Sequence, residues 1–137
     1  IIGNTLSGQA KAPETLDWLQ KLFGKDAMFM RSIIRKILKE AGYTQVWEAQ
    51  DGEKAMELFR EVSPDLVLLD ITMPGRSGLE VLEEILGLDP EAKVIMCSAV
   101  GQEMMIQKAL TAGALDFIVK PFKPDEFCRI VNRYLEQ

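Results

Sequence analysis

From Ala27 onward the apolar residues switch between two spacings, one that suits helices and one that suits buried strands, with short polar turns between them. Met30, Ile33, Ile34, Ile37, Leu38 and Ala41 recur at helical spacing, which predicts a helix from Ala27 to about Ala41, stopped by Gly42. Tyr43–Ala49 reads as a strand, Asp51-Gly52 as a turn, and Ala55, Leu58, Phe59 and Val62 as the buried stripe of a second helix. Pro64 and Asp65 break that helix, and the continuous apolar run Leu66–Leu69 then predicts a strand covered on both faces. It ends on one carboxylate, Asp70, and Met73-Pro74-Gly75 turns the chain away. Leu79, Leu82, Ile85 and Leu86 mark a third helix that closes near Asp89-Pro90, and Lys93–Ser98 is the next strand. A fourth helix spans about Glu103–Ala112, and its Met104, Met105 and Ile106 are read as packing residues in preference to an adaptable binding face. Asp116–Lys120 is a short strand, and Pro124 opens a last helix with Phe127, Ile130, Val131, Tyr134 and Leu135 on one side.

Strands alternating with helices predict an α/β fold in which helices cover a parallel sheet. Four strands follow directly from the pattern. The fifth, which should precede Ala27, does not, because Pro13–Phe23 carries Leu16, Leu19, Leu22 and Phe23 at helical spacing before Gly24. A parallel sheet without its central strand leaves backbone groups unpaired, so the slot must be filled by Leu19–Gly24, by Ile1-Ile2, or by a second chain through swapping. Residues 1–12, rich in Gly, Ser, Thr, Asn and Gln, read as a linker or disordered tail, and 13–137 as one domain.

The composition narrows the function classes. The chain is 47% hydrophobic and 27% charged, enough apolar material for a core without staples. Its net charge of -5 and the lack of a basic stripe argue against nucleic acid as a partner. The sequence contains no histidine, which excludes His triads, His metal sites and a histidine phosphorelay within the chain. Cys97 and Cys128 have no metal-like spacing and read as reduced thiols. Nothing approaches a membrane span or a signal peptide, so a cytoplasmic location and no membrane partner are expected. The first residue is Ile, from which a start inside a longer product is expected.

An isolated aspartate at a strand end most often caps the loop that follows. Asp70 is not isolated, since Ser98 and Lys120 end the next two strands and Asp26 ends the segment before the first helix. In open parallel sheets that edge is where ligands bind, and all four would converge there.

These residues bring a family into view. DAMFMR at Asp26–Arg31, LLDITMPGRSGLE at Leu68–Glu80, VIMCSAVGQ at Val94–Gln102 and AGALDFIVKPF at Ala112–Phe122 resemble the receiver domain of two-component response regulators, closest to the CheY-type chemotaxis regulators. The resemblance runs from 26 to 135. It implies a flavodoxin-like three-layer sandwich with strand order 2-1-3-4-5, the first strand being atypical, replaced or swapped. It also implies a regulatory domain that promotes only its own phosphorylation and dephosphorylation. Asp70 would be the phosphoacceptor. Mg²⁺ would be held by Asp26, Asp70 and the backbone carbonyl of Thr72. Lys120 would face the phosphoryl oxygens, Ser98 would be the switch hydroxyl, and Phe117 the switch aromatic, coupled by packing alone. The Lys120-Pro121 bond is a candidate cis peptide. Implied partners are a sensor histidine kinase as phosphodonor and a flagellar motor switch protein or a phosphatase, bound through the face of the fourth helix, fifth strand and fifth helix.

One position departs from the resemblance. Receivers carry two adjacent acids after the first strand, and here Lys25 stands at the first. An ammonium there offsets charge that attracts Mg²⁺, so weaker metal binding is expected. The alternative reading is therefore a receiver scaffold with an altered first strand, engineered or swapped, in which Mg²⁺ binding and phosphorylation are impaired. The assembly would be a monomer or a strand-swapped dimer. A flavin or nucleotide enzyme on the same fold is disfavoured, since no glycine-rich phosphate loop follows any strand.

Overall fold

The computed structural model describes residues 2–4, 27–43, 45–73, 75–120 and 122–135. In chain order the elements are β1 (Ile2–Asn4), α1 (Ala27–Glu40), β2 (Gln45–Trp47), α2 (Gly52–Val62), β3 (Leu66–Asp70), α3 (Gly78–Leu88), β4 (Val94–Ala99), α4 (Glu103–Ala112), β5 (Asp116–Lys120) and α5 (Pro124–Leu135). The helix expected over 13–23, Lys25, Asp26 and the Lys120-Pro121 bond lie wholly or partly outside the described residues.

Local chemistry sets several of these boundaries. Asp51 accepts a hydrogen bond from the Lys54 amide at 2.8 Å and starts α2, and Ser77 accepts one from the Glu80 amide at 3.2 Å and starts α3. Gly113, at φ 125°, ends α4 where a side chain would be strained. The strand expected over Tyr43–Ala49 is shorter, Gln45–Trp47. Tyr43 instead sinks into the core, 2% exposed, and its hydroxyl donates to Asn132 Oδ1.

The five strands form one sheet in the order β2-β1-β3-β4-β5, as expected. The expectation of a parallel sheet is corrected at its centre. Strands β3, β4 and β5 pair in parallel, but β1 runs antiparallel to both neighbours, with Ile2 opposite Trp47 on one side and Val67 on the other. Of the three ways to fill the slot, the N-terminal one is found, as Ile2–Asn4 in place of the expected Ile1-Ile2, inside the segment expected to be a tail. Antiparallel and parallel ladders both satisfy the N–H and C=O groups of β2 and β3, so backbone pairing demands an occupant without fixing its direction.

Alternation along the strands divides the core between the two sheet faces. Leu66, Leu68, Ile95, Cys97 and Ile118 meet Ile33, Ile34 and Ile37 of α1 and Phe127 and Val131 of α5 on one face. Val67, Leu69, Val94 and Met96 meet Met56 of α2, Leu82 and Ile85 of α3 and Ile106 and Ala109 of α4 on the other. This is the three-layer sandwich expected, and it fixes the strand ends that carry the polar residues. On α4 the packing role holds for Ile106 and the partly buried Met105, whereas Met104 is 75% exposed.

Candidate functional site

Asp70 closes β3 at the carboxyl edge of the parallel strands, where the flanking apolar residues hold its backbone while its side chain stays 27% exposed. The Lys120 ammonium, at the end of β5 two strands away, donates to Asp70 Oδ1. Both residues share the sheet face of Cys97, the register partner of Asp70, and of Ile118, two residues before Lys120. The ion pair therefore crosses over β4 at the sheet's rim.

Ser98 belongs to the opposite face, with Val94 and Met96. It is 1% exposed and its hydroxyl has no hydrogen-bond partner among the described residues. Leaving a buried hydroxyl unpaired costs about 1–3 kcal/mol. Phe117 shares that face, paired with Met96 on the neighbouring strand, and is 36% exposed. It does not sit in the core as a plain packing residue would.

The turn after β3 is built by close backbone approach. The Gly78 amide donates to the Ile71 carbonyl at 2.7 Å, and the Ile71 amide donates to the Cys97 carbonyl at 3.0 Å. A Cβ at Gly78 would lie 2.1 Å from the Asp70 carbonyl oxygen, so only glycine fits. Arg76 ties the same turn to α2 and α3 through Glu53 at 3.3 Å and Glu84 at 2.6 Å. Hydrogen bonding to Arg76 holds the Glu84 carboxyl below the usual range, and the same bond raises Arg76.

Burial pushes the Cys97 thiol up to about 12, helped by the Asp70 charge and opposed by Lys120. Cys97 and Cys128 are both free and buried, consistent with reduced thiols.

With this geometry in hand, the chain can be compared with known proteins. The family model for the response regulator receiver domain matches residues 25–132. The chain belongs to the response regulator receiver domain family. Among curated relatives, the chemotaxis protein CheY of Listeria monocytogenes is 52% identical over 115 residues, covering 84% of this chain and 97% of that protein. The Thermotoga maritima CheY is 46% identical over 108 residues, covering 79% and 90% respectively. The crystal structure of the receiver domain of NtrX from Brucella abortus superposes with a TM-score of 0.77 at 35% identity, covering 82% of this chain and 95% of that one. Against a longer NtrX chain the matched region spans 25% of its length.

As a receiver, the chain is a regulatory signalling domain of the two-component and chemotaxis type. Its structure brings Asp70 and Lys120 together on one face of the sheet and sets Ser98 and Phe117 on the other. Asp26 and Lys25, which precede Ala27 at the start of α1, lie outside the described residues. Among the described residues no three His, Cys, Asp or Glu side chains gather as a metal site. What this edge offers a cation is oxygen, from the Asp70 carboxylate and the neighbouring backbone, a donor set that suits a hard ion such as Mg²⁺.

Sequence reasoning missed two residues. Both fall inside the family-like segments Leu68–Glu80 and Val94–Gln102, but nothing local gives Gln102, which follows Ala99-Val100-Gly101, a role of its own. In the structure Gln102 is the residue that joins the turns after β3 and β4. Its Oε1 accepts from the Ala99 amide at 2.7 Å, and its Nε2 donates to Thr72 Oγ1 at 3.0 Å.

Proposed function

We propose that this receiver accepts a phosphoryl group on Asp70 from a sensor histidine kinase and passes the signal on through α4, β5 and α5. The observation that carries the reading is the Asp70–Lys120 ion pair at the strand ends, with a buried Ser98 hydroxyl that has no partner among the described residues near the end of the strand between them. An Asp70 oxygen attacks phosphorus in line, a new O–P bond forms, and the donor's P–N bond breaks. Lys120 then shifts its charge from the carboxylate to the phosphoryl oxygens. Ser98 donates to one of those oxygens, and Phe117, on the same face, follows the movement by packing.

Mg²⁺ supplies the positive charge that offsets repulsion between carboxylate and phosphoryl oxygens. Asp26, Asp70 and the Thr72 carbonyl would hold it. The exposed Met104 and partly exposed Phe117 give the output face apolar contacts for a partner such as a flagellar motor switch protein or a phosphatase. A cytoplasmic setting belongs to the same reading.

The reversed β1 favours a second reading. In the family pattern the paired acids follow the central strand, whereas here the central strand is Ile2–Asn4 and the residue in the first acidic position is Lys25. On that reading the domain keeps its fold but binds Mg²⁺ weakly. One experiment separates the two. With acetyl phosphate, intact-mass spectrometry should show one added phosphoryl group on the wild-type chain and none on Asp70→Asn. Under the first reading this occurs at ordinary Mg²⁺ concentrations. Under the second it requires high Mg²⁺, and Lys25→Asp, which replaces a nearby positive charge by a negative one, lowers that requirement on the order of tenfold. Labelling that persists in Asp70→Asn would sink both.

A further inference from the structure

The Gln102 carboxamide spans the two turns that flank the phosphoacceptor, and neither of its bonds serves the helix it precedes. Gln102 stands at the N-terminal boundary of α4, yet its side chain caps no amide of that helix. It reaches back to the Ala99 amide, the residue after Ser98, and across to the Thr72 hydroxyl, two residues beyond Asp70. Ser98 and Ala99 are consecutive at the end of β4, one with an unpaired hydroxyl and the other with its N–H held. Bringing the Ser98 hydroxyl to a group on Asp70 moves the end of β4, and the Ala99 amide moves with it.

We propose that Gln102 is a latch, a positioning residue that holds the resting arrangement of the β4–α4 turn against the β3–α3 turn and opposes the Ser98 movement until it is released. The proposal rests on Asp70 being the modified group. The latch sets how readily the domain switches, because its two hydrogen bonds exist in the resting state and are lost in the switched one. Two neutral hydrogen bonds of this kind are sufficient to bias the equilibrium on the order of tenfold.

The test compares the wild-type chain with Gln102→Ala, Thr72→Val, the double variant and Gln102→Glu. Hydrogen exchange of the Ala99 amide, read by NMR in the unmodified protein, should speed up several-fold in Gln102→Ala and in Thr72→Val. The double variant should add nothing to Gln102→Ala. Gln102→Glu should keep the slow exchange, since its carboxylate still accepts from Ala99 and can accept from the Thr72 hydroxyl. Slow exchange at Met96, buried in β4, shows that the fold is unchanged. Apparent affinity for beryllofluoride with Mg²⁺ should rise on the order of fivefold in Gln102→Ala and Thr72→Val. Unchanged Ala99 exchange in Gln102→Ala, an effect absent from Thr72→Val, or a beryllofluoride affinity that stays equal or falls would each overturn the latch. If the wild-type chain takes up neither beryllofluoride nor phosphate even at high Mg²⁺, the assignment of Asp70 fails, and Ala99 exchange alone decides whether Gln102 holds the two turns.

Discussion

Asp70 and Lys120 show how a single residue's meaning depends on its place. An aspartate after four apolar residues is ordinarily a loop cap, and a lysine before a proline ordinarily faces solvent. Paired across a strand, they become a charge-balanced site only about a quarter exposed. Cys97, in register with Asp70, feels the same surroundings. Its thiol is raised from an ordinary 9.0 to about 12, chiefly by burial. A raised thiol value favours the neutral folded form, so this contribution to stability is complete below pH 9 and is lost as pH rises from there toward 12. Native Cys97 should therefore resist iodoacetamide at pH 8 and react only through unfolding, at least a hundredfold more slowly than in denaturant. Mass-resolved alkylation checks this, and rapid native labelling would contradict it. The carboxylate and the lysine were legible from strand-end spacing. Gln102 was not, because a polar turn residue acquires a role only from what another turn places within its reach.

At the scale of elements, the join between β3 and α3 is made by close backbone approach. Gly78 opens α3 directly against the backbone of Asp70 and Ile71, with hypothetical Cβ distances of 2.1 Å to the carbonyl oxygen and 2.8 Å to the Ile71 Cα. Backbone atoms cannot give way as a flexible side chain does. Gly78→Ala should cost about 3 kcal/mol and lower Tm by about 10 °C, displacing the Asp70 turn as it does so. Gly87 in the same helix meets nothing within 4 Å, so Gly87→Ala should be neutral or stabilising by up to about 1 kcal/mol. Thermal melts of the two variants distinguish close packing from helix propensity, and equal effects would refute the account. The helices themselves were readable from apolar spacing and caps such as Asp51 and Ser77. The depth to which α3 presses on the Asp70 turn was not, since it depends on how the helix docks on the sheet.

At the scale of the whole molecule, one three-residue strand joins the two parts of the sheet. Strand β1 lies between β2 and β3, so removing residues 1–4 would strip partners from both. Such a truncated chain should lose its cooperative melt or recover it by exchanging strands between copies, and circular dichroism with mass measurement in solution would show which. A stable, cooperatively melting monomer would mean that Ile2–Asn4 is dispensable. The strand order came with the family resemblance, whereas the family, the three layers and the place of Asp70 at a strand end were contained in the sequence, because apolar periodicity and strand-end chemistry are local and repeat along the chain. The direction of the central strand, the latch at Gln102 and the exclusion of any side chain at Gly78 were decided by tertiary structure. Each arises between segments distant in sequence, where hydrogen-bond satisfaction and packing select a partner that no local pattern names.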